Sequence, residues 1–279
     1  MRNQRGQVVL ITLLVLAVAT TVALSLISRT TTDTTITNQI EESSRAFSAA
    51  EAGIEEALKS GLGSGGVQVL SGEGASYNVN VASIGGAAAV LEFPKKTLKG
   101  VTETVWLVSH DANGNLVETP TYTASSIDLC WSSESTTPAV VATLLYKESS
   151  DNSYRVAKAA FDPNSTRAAT NKFSSSYTAG GCGGTTQTAY KVTITFSGLD
   201  ASINPATDTL FMLRVRTLYS DAKLAIDPKN QVLPRQGNKI ESTGTTASGI
   251  NRKIVVYQQY RAPITVFDAA IYSQGSLTK

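Results

Sequence analysis

The chain has 279 residues, 16% of them charged, and a net charge of +2, which is too balanced to argue for a nucleic-acid surface on electrostatics alone. One histidine and two cysteines cannot furnish a zinc shell, and a histidine-based triad has at most one candidate. The length suits one domain of about 200 residues, or two smaller ones, after a separate N-terminal segment.

Arg2, Asn3, Gln4, Arg5 and Gly6 form a short basic head, and residues 8–27 then run without a charged side chain. At 1.5 Å per residue, roughly 20 apolar residues make a helix about 30 Å long, the thickness of a bilayer's hydrocarbon core. A secretory signal has a shorter apolar run, with its small-residue cut site after that run. Here Gly6 stands before it, so a cut between Gly6 and Gln7 would remove only the head and leave the apolar helix in place. Two other fates stay open. Ala17-Val18-Ala19 is an A-x-A triplet whose cleavage would release Thr20, and an uncut chain would be a single-pass anchor. Arg2 and Arg5 keep the N-terminus in the cytoplasm and send the rest outside, although Arg29 weakens the asymmetry.

The helical pattern continues past the membrane segment. Between Arg29 and Lys59 there is no proline, and Gly53 is the first glycine. Ile36, Ile40, Phe47, Ile54 and Leu58 recur at helical spacing and, with Ala50, predict an apolar stripe that buries against the domain that follows. Ala46, Ala49 and Ala52 add strong helix formers, and Glu41 precedes Arg45 by four residues. The threonines between Thr30 and Thr37 are the weakest helix formers of the segment. The expected helix spans about residues 8–59, near 75 Å if unbroken.

Gly61, Gly63, Gly65 and Gly66 read as a flexible hinge. Beyond it the period changes to two: Tyr77, Val79 and Val81 alternate with polar residues, as do Val192, Ile194 and Phe196. Residues 101–109, 140–147, 209–219 and 253–260 are further β-rich runs. Asn113-Gly114, Asp162-Pro163-Asn164, the glycines around Cys182, Asp227-Pro228 and Ser248-Gly249 supply turns. Residues 67–279 are therefore expected to form a β-rich antiparallel head, as a sheet or sandwich. Cys130 and Cys182 suit an exported domain with one disulfide, closing a loop of about 50 residues for roughly 4 kcal/mol.

Candidate chemistry in the head is thin. His110 precedes Asp111-Ala112-Asn113-Gly114-Asn115 and reads as a solvated loop histidine beside a hairpin turn. With Glu118 downstream this turn still lacks the carboxylates and spacing of a calcium loop. Asn164-Ser165-Thr166 matches a glycosylation sequon by pattern, and a turn explains it equally. Tyr219, Tyr257, Tyr260, Tyr272 and Trp131 fit an adhesive surface or, more simply, a core. Arg252, Lys253 and Arg261 would serve contact with DNA or a host surface, or a charged strand edge. No catalytic constellation, cofactor site or metal site is visible, so a non-enzymatic role is expected.

Two blocks carry a family likeness. Residues 5–11, R-G-Q-V-V-L-I, resemble the leader junction of type IV pilus minor pilins of the PilX-like family. Arg45, Ala46, Phe47, Ala49, Ala50, Glu51, Ala52 and Gly53 are similar to that family's R-A-F-x-A-A-E-A-G helix signature, at the right distance from the first block. The resemblance covers about the first 60 residues. It implies an α+β fold: a leader at 1–6, a pilin-type helix at 7–60 that spans the membrane at 8–27, a hinge at 61–66 and a head at 67–279. It also implies cleavage after Gly6 by prepilin peptidase, methylation at Gln7, and storage in the cytoplasmic membrane. Assembly by a motor and platform into an extracellular pilus, through helix contacts with other pilins, would follow. Major pilins carry glutamate where this chain has Ile11, which favours a tip or initiating subunit. A type II secretion pseudopilin and an anchored adhesin that never polymerises are the alternatives.

Overall fold

The structure is a computed structural model that describes residues 5–70, 74–184 and 187–264. It begins with α1 (Arg5–Ser60), followed by β1 (Gln68–Leu70), β2 (Ala75–Ile84), β3 (Leu91–Glu92), β4 (Thr102–Trp106) and β5 (Ser126–Trp131). Next come β6 (Ala139–Lys147), β7 (Tyr154–Phe161), α2 (Ser165–Asn171), β8 (Thr178–Ala179) and β9 (Tyr190–Thr195). The short α3 (Phe196–Leu199), β10 (Thr209–Leu218), β11 (Leu224–Asp227), β12 (Gly237–Thr246) and β13 (Asn251–Gln259) complete the order. A long apolar helix followed by antiparallel sheets is the α+β layout expected.

The 56 residues of α1 give about 84 Å of helix. It runs through the threonine stretch without a break, and the threonine hydroxyls find their partners inside it. Thr30, Thr31, Thr32, Thr34, Thr35 and Thr37 each turn their hydroxyl back onto a carbonyl three or four residues earlier, at 2.8–3.1 Å. Thr12, Thr20 and Thr21 do the same lower down. Each hydroxyl is thus satisfied within the helix and can be covered by lipid or protein without stranding a donor.

The chain divides into two compact units: one joins the chain up to Ala82 with Lys239–Val256, the other joins Ser83–Asn238 with the chain from Tyr257 onward. In the first, a sheet of order β1-β2-β12-β13 accompanies the helix. Gln68 pairs with Tyr77 and Leu70 with Ala75. Ala247 donates to the Gly74 carbonyl while Ser76 donates to that of Thr245, so β2 and β12 are antiparallel. The Ser248-Gly249 turn closes the β12–β13 hairpin, where Gly249 donates to Thr246. Ile54, Ala57, Val79 and Ile240 form the core, flanked by Tyr77, Val81, Ile254 and Val256.

The glycine segment after α1 belongs to this unit and corrects the flexible-hinge reading. Ser64 donates its N–H to the Val79 carbonyl at 3.1 Å, and its Oγ accepts from the Val79 N–H at 2.9 Å. Those reciprocal bonds fasten the turn to β2.

The second unit is a sandwich of two antiparallel sheets, β4-β10-β6-β7 and β3-β11-β5-β9-β8. β10 is central in its sheet and nearly all buried. Val105, Leu144 and Leu213 from the first sheet share one core with Leu129, Trp131, Ile194 and Leu224 from the second. Cys130 on β5 is bonded to Cys182, with Cα atoms 5.7 Å apart and 52 residues between them in sequence. The Asp162-Pro163-Asn164 turn starts α2: Asn164 Oδ1 accepts from the Arg167 N–H as an N-cap, the role of that asparagine in the fold.

Candidate functional site

The surface of α1 is the most unusual feature of the first unit. Its membrane-length window has a mean hydropathy of 2.6 and no residue covered, so the helix is long and apolar enough to cross a membrane. The large side chains along it stand open to the surroundings, including Leu10 at 66% exposure and Ile11, the position without glutamate, at 54%. Gly6 and Gln7 are helical, while residues 1–4 of the leader lie outside the described residues.

Higher up, the helix carries two stripes. Ala46, Ala49, Ala50, Gly53, Ile54 and Ala57 are buried. At 100° per residue, Ile36, Ile40, Phe47 and Leu58 centre about a quarter turn from them. The stripe expected to bury was the large one, and that is corrected: Ala50 and Ile54 are covered, whereas Ile36, Ile40, Phe47 and Leu58 are 45–64% exposed. Close approach explains the change. A Cβ on Gly244 of β12 would stand 1.9 Å from the Ala46 carbonyl oxygen, and one on Gly53 would meet Ser242 Oγ at 2.4 Å. At Gly244 strand and helix touch backbone to backbone, so only small side chains fit the seam there, while Ile54 packs against Val79 and Ile240.

This seam gives the alanine–glycine signature a physical meaning. Ala46, Ala49, Ala50 and Gly53 seat the sheet, and half-buried Ala52 borders them. Arg45, Phe47 and Glu51 face outward, with Arg45 paired to Glu41 at 2.6 Å and to Glu42 at 3.4 Å. The hairpin adds polar clasps. Ser248 Oγ donates to Glu42 at 2.6 Å, and this bond, with Thr246, holds the Glu42 carboxyl below its usual range. Arg252 Nε donates to Ser43 Oγ at 2.8 Å, and the Tyr77 hydroxyl donates to Glu56. Sequence reading placed Ser248 only in a turn and missed Ser242 and Gly244, because a strand of small polar residues has no hydrophobic period to betray its inner face.

Other candidates fall into structural places. Lys253 pairs with Glu241 at 3.1 Å. Trp131 is fully buried, its indole N–H donating to the Pro138 carbonyl, and Tyr219 lies under the Arg167 guanidinium. Tyr272 lies outside the described residues. The 111–115 segment is the expected hairpin turn, with Asp111 accepting from the Asn113 and Asn115 N–H groups. His110 is a correction: it stacks on Tyr260 at 3.8 Å and meets Trp106 edge-on, and burial pushes its pKa down. Among the described residues, no group of three or more His, Cys, Asp or Glu side chains could hold a metal ion.

The second unit also contains a cleft of about 310 Å3, with Phe93, Trp106, Tyr257 and Tyr260 among its walls and Glu92 and Glu103 as its acids. Arg214, almost wholly buried and not itself among the lining residues, ties three wall residues together by donating to the carbonyls of Pro263 at 2.7 Å and Ile264 at 3.4 Å and to Thr104 Oγ1. No protein-family model, curated protein or solved structure matches the chain.

Proposed function

We propose that the chain is a minor pilin-like structural subunit. It is stored in the cytoplasmic membrane by α1, trimmed between Gly6 and Gln7 by a prepilin peptidase and methylated there. A motor and platform then pass it into a type IV pilus that displays its β-rich part outside the cell.

One observation carries this reading: a continuous helix whose lower half is apolar and uncovered, and whose upper half keeps an uncovered large-residue stripe beside a covered small-residue one. A simple anchor needs the lower half alone. The exposed Ile36, Ile40, Phe47 and Leu58 gain a use when sibling helices bury them, at roughly 25 cal/mol per Å2 removed from water. The threonine hydroxyls, bonded back to their own helix, let that middle segment enter a dry bundle without penalty. Ile11 cannot neutralise the amine of a neighbouring subunit as a glutamate would, which suits a tip or initiating position.

Intact-mass analysis of the purified protein, with proteomics of sheared surface filaments, tests the proposal. Expected are loss of residues 1–6, a methylated Gln7 and presence in the filaments. An uncut N-terminus, a Thr20 terminus or absence from every filament preparation overturns it in favour of an anchored adhesin. Recovery only with secretion machinery would make it a pseudopilin.

A further inference from the structure

The cleft in the second unit has a chemical bias. Four aromatic side chains and two carboxylates line it, with no lysine, arginine or histidine among its described lining residues, although the chain as a whole is slightly basic. The amide of Gln236 is already spent, accepting from the Trp106 N–H and donating to the Trp106 and Pro234 carbonyls. Glu103 is half-buried, and its one hydrogen bond comes from a neutral donor, the Thr97 hydroxyl at 3.1 Å. Burial pushes the Glu103 carboxyl up, with only the Thr97 hydrogen bond opposing it among the described residues. Such a carboxylate gains most from a positive charge brought into the cleft, and aromatic walls favour the same sign through their ring faces.

We propose that this cleft receives a single organic cation, the guanidinium or ammonium group of an arginine or lysine side chain on an external peptide. Its charge meets Glu103 and its apolar stem lies against Trp106, Tyr257 and Tyr260. The site would make the displayed unit a reader of basic residues on a neighbouring surface, whatever the use of the helix. The volume admits one such side chain and excludes a folded partner, so affinity for a single residue is modest and grows with several copies.

Fluorescence provides the test. The chain has two tryptophans, and Trp131 is sealed in the sandwich core, so a ligand-dependent change reports Trp106. The full chain in non-ionic detergent is titrated with N-acetyl-arginine methylamide, its lysine counterpart, the uncharged citrulline counterpart, and spermidine. Expected is a saturable change with the two basic amides, absent with citrulline and lost in Trp106→Phe. Glu103→Gln, which keeps an acceptor for Thr97, should weaken binding about tenfold. Tyr257→Ala, at an exposed wall position, should weaken it severalfold while the thermal transition stays in place. Tighter binding of spermidine would keep the cation and assign it to free polyamines. Equal binding of citrulline, an unchanged affinity in Glu103→Gln, or no change with any cation overturns the proposal.

Discussion

Gly244→Ala isolates the backbone contact between α1 and β12. The added methyl would lie 1.9 Å from the Ala46 carbonyl oxygen and 2.6 Å from the Ala50 nitrogen, both inside the 3.0 Å that real Cβ atoms keep. Its neighbours are main chain, so no rotamer change makes room and the strand must back away by about 1 Å. A gap of that size forfeits a quarter to a half of each dispersion contact along the seam. Overpacking costs about 1–3 kcal/mol, and the upper part of that range applies because the obstacle is rigid. A loss of about 2–3 kcal/mol corresponds to roughly 30- to 150-fold less hydrogen-exchange protection. It should fall on residues 46–57 and 239–246, with β5 and β10 of the other unit unchanged. Gly249→Ala is the comparator: no atom lies within 4 Å of its added methyl and its φ is +86°, so only the conformational cost of about 1–2 kcal/mol applies. Adding Ala46→Gly should not rescue Gly244→Ala, since the clash is with the carbonyl. Protection within threefold of the parent chain, or rescue by Ala46→Gly, would refute the backbone-contact argument.

Three further outcomes are expected. Arg167→Met strands the fully buried Asp162 carboxylate, which Arg167 holds at 2.6 and 2.7 Å, and should destabilise the sandwich by about 3–5 kcal/mol in calorimetry. Burial alone would raise the Asp162 pKa, but Arg167, the Asn164 N–H and the Asn171 amide together hold it below the usual range. Its contribution is therefore present above the unfolded carboxylate value and lost as pH falls through the lower folded one; the penalty of Arg167→Met should shrink on acidification. Reducing Cys130–Cys182, whose partners are 52 residues apart, should remove roughly 4 kcal/mol from the sandwich and leave the α1–β12 protection intact. Ile40→Asp with Phe47→Asp, at positions 64% and 47% exposed, should change the stability of the first unit by less than about 0.5 kcal/mol yet remove the chain from sheared filaments. Retention there would detach the exposed stripe from assembly.

The long helix and several strands were legible in the sequence, and for clear reasons. Residues 8–59 contain no proline and a single glycine, β2 and β9 alternate with a period of two, and β6, β10 and β13 lie in runs of β-forming residues. β5 escaped notice because Asp128 interrupts its apolar run; that side chain is almost fully buried, accepting from Thr193 at 2.6 Å with Lys229 at 3.4 Å. β7 carries Arg155 and Lys158 on opposite faces of the strand, which breaks the apolar alternation on both. β12 hid more completely, since its inward positions are Ile240, Ser242, Gly244 and Thr246. Hydrophobicity marks an inner face only where large side chains must be kept from water. It is silent where two backbones meet.

The same reasoning explains why the helix face was misassigned. A period count ranks Ile36, Ile40, Phe47 and Leu58 above the alanines, since each hides more apolar area when buried. Burial on a sheet is decided by fit as well as by area. Where Gly244 and Ser242 meet the helix there is room for alanine and glycine alone; Ile54 packs beside that contact with Val79 and Ile240, and Ile36, Ile40, Phe47 and Leu58 turn aside. Those residues stay exposed, which costs free energy wherever water is what they meet. A chain that keeps four of them in one line, beside a seam that is already satisfied, has a second surface for which this unit provides no cover. Sibling helices would cover it, which is why Ile40 and Phe47 are the residues whose replacement should separate folding from assembly.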